Sequence, residues 1–209
     1  MGFINSSLYL LSGIAAIVTF AAILAFAIVS GKLSFPNKGK RQDDDAIREN
    51  LIKTLKRHTS LTDMEVLGKT TLKNGEDTMQ FDAIILNNYG TIAIKACFAQ
   101  GDIYGEYRDE KWCSVDKDGT KHYFDNPVPS LHGSAKLFKE IYAAEKVKAG
   151  MCDAFIVAPA KDAELFVNKR AEVYNLKTLS GKLSEDKYQT NKGADIKAMK
   201  AALEKYSVK

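Results

Sequence analysis

The chain opens with a long apolar stretch, and its character changes abruptly afterwards. No Asp, Glu, Lys or Arg occurs before Lys32, and residues 8–29 are uncharged and largely apolar. As a helix rising about 1.5 Å per residue, this run would span roughly 33 Å, slightly more than the hydrocarbon core of a bilayer. The pattern predicts one transmembrane helix within an N-terminal anchor over residues 1–31. A cleaved signal peptide is the alternative, suggested by the small residues around Phe26, although no basic residue precedes the run.

Basic residues follow the apolar run and set its predicted orientation. Lys32, Lys38, Lys40 and Arg41 lie in a linker predicted over residues 32–42. Since the cytoplasmic flanks of membrane helices carry an excess of Lys and Arg, we expect a single-pass membrane protein with its C-terminal domain in the cytoplasm.

Beyond the linker, helical and strand-like periodicities alternate. Acidic residues at 43–45, followed by apolar positions at helical spacing, predict an amphipathic helix that ends near His58. Similar spacing predicts a helix after Asn126-Pro127, a short helix over residues 176–183 and a final amphipathic helix around residues 196–206. Strand-like runs are predicted between the helices at residues 64–72, 79–86, 91–94, 102–107, 112–115, 152–158 and 165–167.

The order of these elements predicts the fold class. A turn signal at residues 87–90 joins two apolar runs, so residues 81–94 should form a hairpin buried on at least one face. No crossover helix separates the central strands, which favours an α/β (α+β) domain and excludes a doubly wound fold. We expect a central β-meander or mixed sheet flanked by helices over residues 43–190, with a C-terminal amphipathic helix over residues 191–209.

Composition and cysteine usage narrow the class further. The 209 residues are 45% hydrophobic and 27% charged, which excludes a disordered tail and a collagen-like repeat. Cys97, Cys113 and Cys152 are odd in number and lack C-x-x-C spacing, which argues against a disulfide framework and a structural zinc site. The net charge of +4 is too small to require a nucleic-acid partner.

Asp82 is the main candidate for chemistry. It stands inside the run from Gln80 to Ile85, and an ionised carboxylate in a buried strand needs a partner. The structural alternative places it at the solvent face of an edge strand, or capping a neighbouring amide.

Motifs around Asp82 occur in an order that resembles the NERD (nuclease-related domain) family. The resemblance covers about residues 43–146 and implies a core like that of the PD-(D/E)xK nucleases. In that fold an Asp and a Glu bind a divalent cation, and a Lys two residues beyond the Glu helps to activate water. The motifs are Gln80-x-Asp82-Ala83-Ile84-Ile85, Gly90-Thr91-Ile92-Ala93-Ile94, Gly101-Asp102-Ile103-Tyr104-Gly105, Trp112 and Asn126-Pro127.

The resemblance assigns expected roles and also exposes departures from the family pattern. Asp82 matches the metal-binding Asp, but Lys95 stands at the position of the Glu and Cys97 at that of the catalytic Lys. Ser130 replaces a Gln that is common after the Asn-Pro motif. Gln80, Trp112 and Asn126 are the candidate binding residues, and a replacement carboxylate could come from Asp44, Asp45 or Asp102.

These observations predict a membrane-anchored NERD-like domain with a degenerate nuclease site at Asp82 and Lys95. We expect it to act as a nucleic-acid-binding or interaction module, with weak and non-specific nucleic-acid contact and no cofactor. One alternative is an active membrane-tethered nuclease that uses Mg²⁺ or Mn²⁺ with Asp82 as a ligand. Another is a protein-interaction scaffold without nucleic-acid contact, whose protein partner the sequence does not define.

Overall fold

A mixed five-stranded sheet lies at the centre of the computed structural model, which describes residues 42–60 and 62–208. The run at residues 8–29, predicted to cross a membrane, lies outside these residues. Within the described ranges, no helix combines the length and the apolarity needed to cross a bilayer.

The helices and strands alternate along the described ranges. The helices are α1 (Asp44–Thr59), α2 (Ser134–Ala144), α3 (Leu176–Leu183), α4 (Asp186–Gln189) and α5 (Ile196–Tyr206), with short 3-10 turns at Val128–Leu131 and Lys169–Ala171. The strands are β1 (Glu65–Leu67), β2 (Thr70–Asn74), β3 (Asp77–Phe81), β4 (Ala83–Asn87), β5 (Gly90–Ala96), β6 (Asp102–Gly105), β7 (Lys111–Val115), β8 (Lys121–Asp125), β9 (Met151–Ala158), β10 (Glu164–Val167), β11 (Val173–Asn175) and β12 (Ser207–Val208).

The central sheet has the strand order β1-β4-β5-β9-β11. Its first three strands are antiparallel, whereas β9 runs parallel to β5 and β11 runs parallel to β9. β4 and β5 are buried along nearly their whole length, as expected for strands covered on both faces.

Helices cover both faces of this sheet. On one face, α1 and α3 pack against alternate residues of β4, β5 and β9, through Leu51, Leu55, Leu179 and Leu183. On the other face, α2 and α5 pack against the intervening residues, through Phe138, Ile141, Met199 and Leu203. The C-terminal helix, predicted as a separate segment from residue 191, therefore contributes to the core of the same compact unit.

Two smaller sheets flank the central one. Strands β12, β2 and β3 form an antiparallel sheet, and β10, β6, β7 and β8 form a four-stranded sheet in that order. The inner face of the four-stranded sheet contributes Ile103 and Trp112 to a third apolar cluster, which also contains Cys97 and Ile156 from the central sheet region. The four-stranded sheet thus packs near the ends of β5 and β9.

The structure confirms the α+β class and the hairpin, which is formed by β4 and β5. Two predicted strands are wrong in extent. The run 64–72 is divided into β1 and β2, and the run 79–86 is divided at Asp82 into β3 and β4. The physical reason is the same for both runs, because in each the chain passes between the central sheet and the three-stranded sheet.

Candidate functional site

Asp82 lies where the chain leaves β3 and enters β4, and it is only 2% exposed. Its Oδ2 accepts a hydrogen bond from the backbone N–H of Ala96 at 2.8 Å. Its Oδ1 accepts one from the Nε of Arg48 at 3.1 Å. Both carboxylate oxygens therefore have donors within the protein, as the energetics of a buried charge require.

Helix α1 positions Arg48 for this contact. The neighbouring Ile47 and Leu51 are fully buried and fix the helix against the core, so Arg48 lies at the edge of the apolar face. The other end of its guanidinium binds the exposed carboxylate of Asp45, one turn earlier. The same guanidinium lies 4.8 Å from the centre of the Phe98 ring, within the range of a cation–π contact.

Lys95 has a different environment from that of Asp82. It lies near the end of β5 and is partly exposed, and its ammonium donates to the backbone carbonyl of Gln80 at 3.2 Å. A lysine ammonium has three donors, so this contact leaves donors available to solvent or to a ligand.

Carboxylates suitable for a metal do not gather around Asp82. In residues 42–60 and 62–208, no group of three or more His, Cys, Asp or Glu side chains is arranged to hold a metal ion. Of the candidate replacement ligands, Asp45 pairs with Arg48, and Asp102 lies in β6 opposite Val115 and Glu164.

Cys97 is buried in the third apolar cluster and forms no disulfide. Burial raises the pKa of its thiol to about 11. The thiol is therefore protonated near neutral pH, which is unsuited to nucleophilic catalysis.

The candidate binding residues occupy three different environments. Gln80 is exposed on β3 and supplies the carbonyl that Lys95 contacts. Trp112 is 1% exposed and donates its indole N–H to the carbonyl of Glu106, so its ring faces are not open to a ligand. Asn126 is also buried; its amide donates to the carbonyls of residues 107 and 109 and accepts from the N–H of residue 128, which braces the loop after β8.

The structure therefore brings Asp82, Lys95 and Gln80 into one region and places Trp112 and Asn126 in the four-stranded sheet and its loop. Arg48 is the residue that sequence reasoning missed. The signal for it was a cation between the apolar positions Ile47 and Leu51, in the helix that begins the domain.

A mixed sheet covered by helices on both faces, with a buried carboxylate where the inner strand β4 begins, defines an α+β domain of the kind that the sequence motifs suggested. The family model described as "Nuclease-related domain" (NERD) matches residues 43–159, more than half of the 209 residues. The chain belongs to this family. The match runs from α1 to the end of β9 and includes Asp82, Lys95 and Cys97. No curated protein and no solved structure matches the chain.

Proposed function

We propose that this NERD domain binds nucleic-acid phosphate weakly at the region of Lys95, without a divalent cation and without cleaving the strand. We further propose that residues 8–29 anchor it in a membrane, with the domain on the cytoplasmic side. The observation that carries the proposal is the contact between the Arg48 guanidinium and the buried Asp82 carboxylate.

Arg48 and Lys95 make the region a poor fit for the Mg²⁺ or Mn²⁺ that the nuclease fold implies. Such ions need several oxygen ligands and are usually held by one or two carboxylates. Here the buried carboxylate of Asp82 is engaged by Arg48 and by a backbone N–H, and the family's second carboxylate position carries an ammonium. A further divalent cation would have to displace Arg48 and approach Lys95, which charge repulsion opposes.

The same charges suit a phosphate. Relative to a carboxylate at position 95, Lys95 changes the local charge by two units in the positive direction. Its partly exposed ammonium can hold a phosphate oxygen as a point-charge contact. Such contacts are independent of base sequence and weaken as salt rises.

Fluorescence anisotropy of a short labelled oligonucleotide tests this proposal. We expect weak binding by the full-length chain at low salt and a steep loss of affinity towards physiological salt. Lys95→Glu should reduce binding further than a matched control, Lys192→Glu, which makes the same change of charge. The backbone N–H of Lys192 donates to the carbonyl of Asn88, which precedes β5. Lys192 therefore lies at the opposite end of β5 from Lys95.

Identical binding curves for the wild type and Lys95→Glu would contradict the assignment of Lys95. An equal loss in Lys95→Glu and Lys192→Glu would indicate a general charge effect and would contradict it too. Unchanged anisotropy at both salt concentrations would reject nucleic-acid binding altogether.

A protein-interaction scaffold is the second candidate, and one observation favours it. The outer face of the four-stranded sheet carries a cross-strand row formed by Phe166, Tyr104, Cys113 and Tyr123, which are directly opposite one another in register. The three aromatic residues are 42–69% exposed, and the Tyr104 and Phe166 rings stack at 4.9 Å. Absence of any oligonucleotide binding would favour this candidate.

Membrane anchoring can be tested separately by reporter fusions at both ends of the full-length chain. We expect an uncleaved chain whose C-terminus is cytoplasmic, because the basic residues follow the apolar run. A mature chain that begins near residue 28 and is recovered free outside the cytoplasm would contradict the anchor.

A further inference from the structure

A pocket of about 330 Å³ lies between the end of β5 and the inner face of the four-stranded sheet. It begins at Ala96, which follows Lys95 and whose backbone N–H donates to the Asp82 carboxylate, so the pocket adjoins that site. Its walls are largely apolar, and its volume is at the lower end of the range for small-molecule sites. The residues that define its chemistry are Cys97, Phe98, Ser114, His122, Phe124 and Pro127.

Ser114 is the first sign that the pocket accepts a polar group. The residue is 0% exposed, and its hydroxyl oxygen has no hydrogen-bond partner among the described residues. An unpaired buried hydroxyl is destabilising, and an alanine here would avoid that cost. Ser114 lies on the inner face of β7 and is one of the residues that line the pocket.

His122 adds a second polar group beside Ser114. The two residues are direct partners across β7 and β8, so their side chains share one face of the sheet. The Nε2 of His122 lies 2.8 Å from a carboxylate oxygen of Asp116. In the tautomer that carries its proton on Nε2, the ring donates to this carboxylate and Nδ1 can accept a hydrogen bond. A hydroxyl that can donate or accept and an imidazole acceptor complement a ligand edge that has both donors and acceptors.

Two aromatic rings complete the site. Phe98 and Phe124 line the pocket, and the Arg48 guanidinium holds Phe98 from outside it. Flat apolar walls with a few polar groups favour a planar heteroaromatic ring, which gains stacking energy and hydrogen bonds at its edge. The pocket-lining residues contain no Lys or Arg and include the carboxylate of Asp125, so the pocket lining does not favour a phosphate.

We infer that this pocket binds a nucleobase, held by stacking on Phe98 and Phe124 and by hydrogen bonds to Ser114 and His122. The inference builds on the proposed function, because a base in the pocket would bring its phosphate towards the neighbouring Lys95. The base could belong to an unpaired nucleotide of a strand or to a free nucleoside, and the experiment separates these sources.

The single tryptophan of the chain supplies the first readout. Trp112 packs edge-on against Phe124, with ring centres 6.4 Å apart, so ligand binding beside Phe124 should alter its emission. Titration of the full-length protein with uncharged nucleosides should give a saturable change in this emission, whereas ribose alone should give none.

Ser114→Ala should weaken nucleoside binding by roughly tenfold, the effect of one lost hydrogen bond, while the Tm of the variant stays unchanged or rises. Ser184→Ala, a serine substitution in an exposed position after α3, should bind as the wild type does.

The second readout compares labelled strands of equal length and charge, one with bases and one abasic. The inference predicts tighter binding of the strand with bases, and loss of that preference in Ser114→Ala. Equal binding of both strands, with no response to nucleosides, would overturn the pocket inference and leave the proposed phosphate binding intact. Nucleoside binding without binding of either strand would support the pocket and reject the proposed function.

Discussion

At the scale of single residues, the proposed function depends most on the contact between Arg48 and Asp82. Asp82 is nearly completely buried, whereas the side chain of Arg48 is 21% exposed, so the pair is largely but not wholly removed from water. Loss of one partner from a buried ion pair typically costs about 3–5 kcal/mol, because the other charge remains buried without compensation.

We predict that Arg48→Met lowers the free energy of unfolding by about 2–4 kcal/mol, a reduced cost because Arg48 retains some solvent contact. Urea denaturation of the wild type and the variant measures this difference in the free energy of unfolding. Asp45→Ala, which removes only the 88% exposed partner of Arg48, should cost less than about 0.5 kcal/mol. In the double variant Arg48→Met/Asp82→Asn the buried charge is gone, so much of the stability should return. Simple additivity of the single costs would show that the two side chains are not coupled.

A second charged cluster lies at the other end of β5 and stabilises α4. The Oδ2 of Asp153 accepts hydrogen bonds from the Tyr89 hydroxyl at 3.0 Å, the Lys187 ammonium at 2.6 Å and the Tyr188 hydroxyl at 2.9 Å. Burial raises the pKa of the Asp153 carboxyl, but these donors and the charge of Lys187 outweigh it, so the pKa lies below its ordinary value of 3.8. The pKa of the Tyr188 hydroxyl is raised, by burial first and then by Asp153.

We predict that Asp153→Asn costs about 1–3 kcal/mol of stability at pH 7, because a charge-assisted network is lost. A carboxylate with a lowered folded-state pKa stabilises the fold above its unfolded-state pKa and loses that contribution as pH falls through the folded value. The difference between the wild type and Asp153→Asn should therefore be constant above about pH 5 and shrink below about pH 4. Denaturation curves recorded at several pH values measure this difference in stability. Asp162→Asn, at an exposed position, is the control. A difference that grows on acidification would be inconsistent with the network.

At the scale of elements, sequence periodicity identified helices better than strand boundaries. Helix α1 was predicted because its buried positions, among them Ile47, Leu51 and Leu55, recur with helical spacing. The sequence does not predict the division between β3 and β4 at Asp82, because apolar residues occur on both sides of Asp82. The two strands nevertheless belong to different sheets. Strand β8 was missed because its outward positions are Lys121, Tyr123 and Asp125, which resemble a polar loop.

The same limit applies to the site. A carboxylate in an apolar run marked Asp82, since that pattern is costly unless the charge has a partner. The partner itself, Arg48, is 34 residues away along the chain, and only tertiary packing brings α1 close to the start of β4. The Ser114 pocket likewise depends on how two sheets pack, which local sequence does not encode.

Packing between β6 and β7 gives a prediction at this scale. A Cβ added at Gly105 would lie 2.4 Å from the indole of Trp112, which is a buried ring. Gly105→Ala should therefore cost about 1–3 kcal/mol and shift Trp112 emission to longer wavelength. Gly181→Ala is the matched control, because Gly181 lies within α3 with no atom within 4 Å of the added Cβ. It should stabilise the protein by about 0.5–1 kcal/mol. Equal effects of the two substitutions would contradict the packing described here.

At the scale of the whole molecule, the NERD domain pairs the buried carboxylate of Asp82 with a guanidinium from another element. Arg48 lies on α1, the first helix of the domain, and Lys95 lies near the end of β5. The domain thus belongs to the nuclease-related family and holds its buried carboxylate in an ion pair, which we propose takes the place of a bound metal ion.

Strand cleavage with and without divalent cations tests this account most directly. The full-length chain would be incubated with end-labelled single-stranded DNA, double-stranded DNA and RNA, in Mg²⁺, Mn²⁺ or EDTA, and the products separated on denaturing gels. We expect no product above the EDTA level, and the same result for Asp82→Ala. Product that requires Mg²⁺ or Mn²⁺, disappears in Asp82→Ala and persists in Lys192→Glu would contradict it.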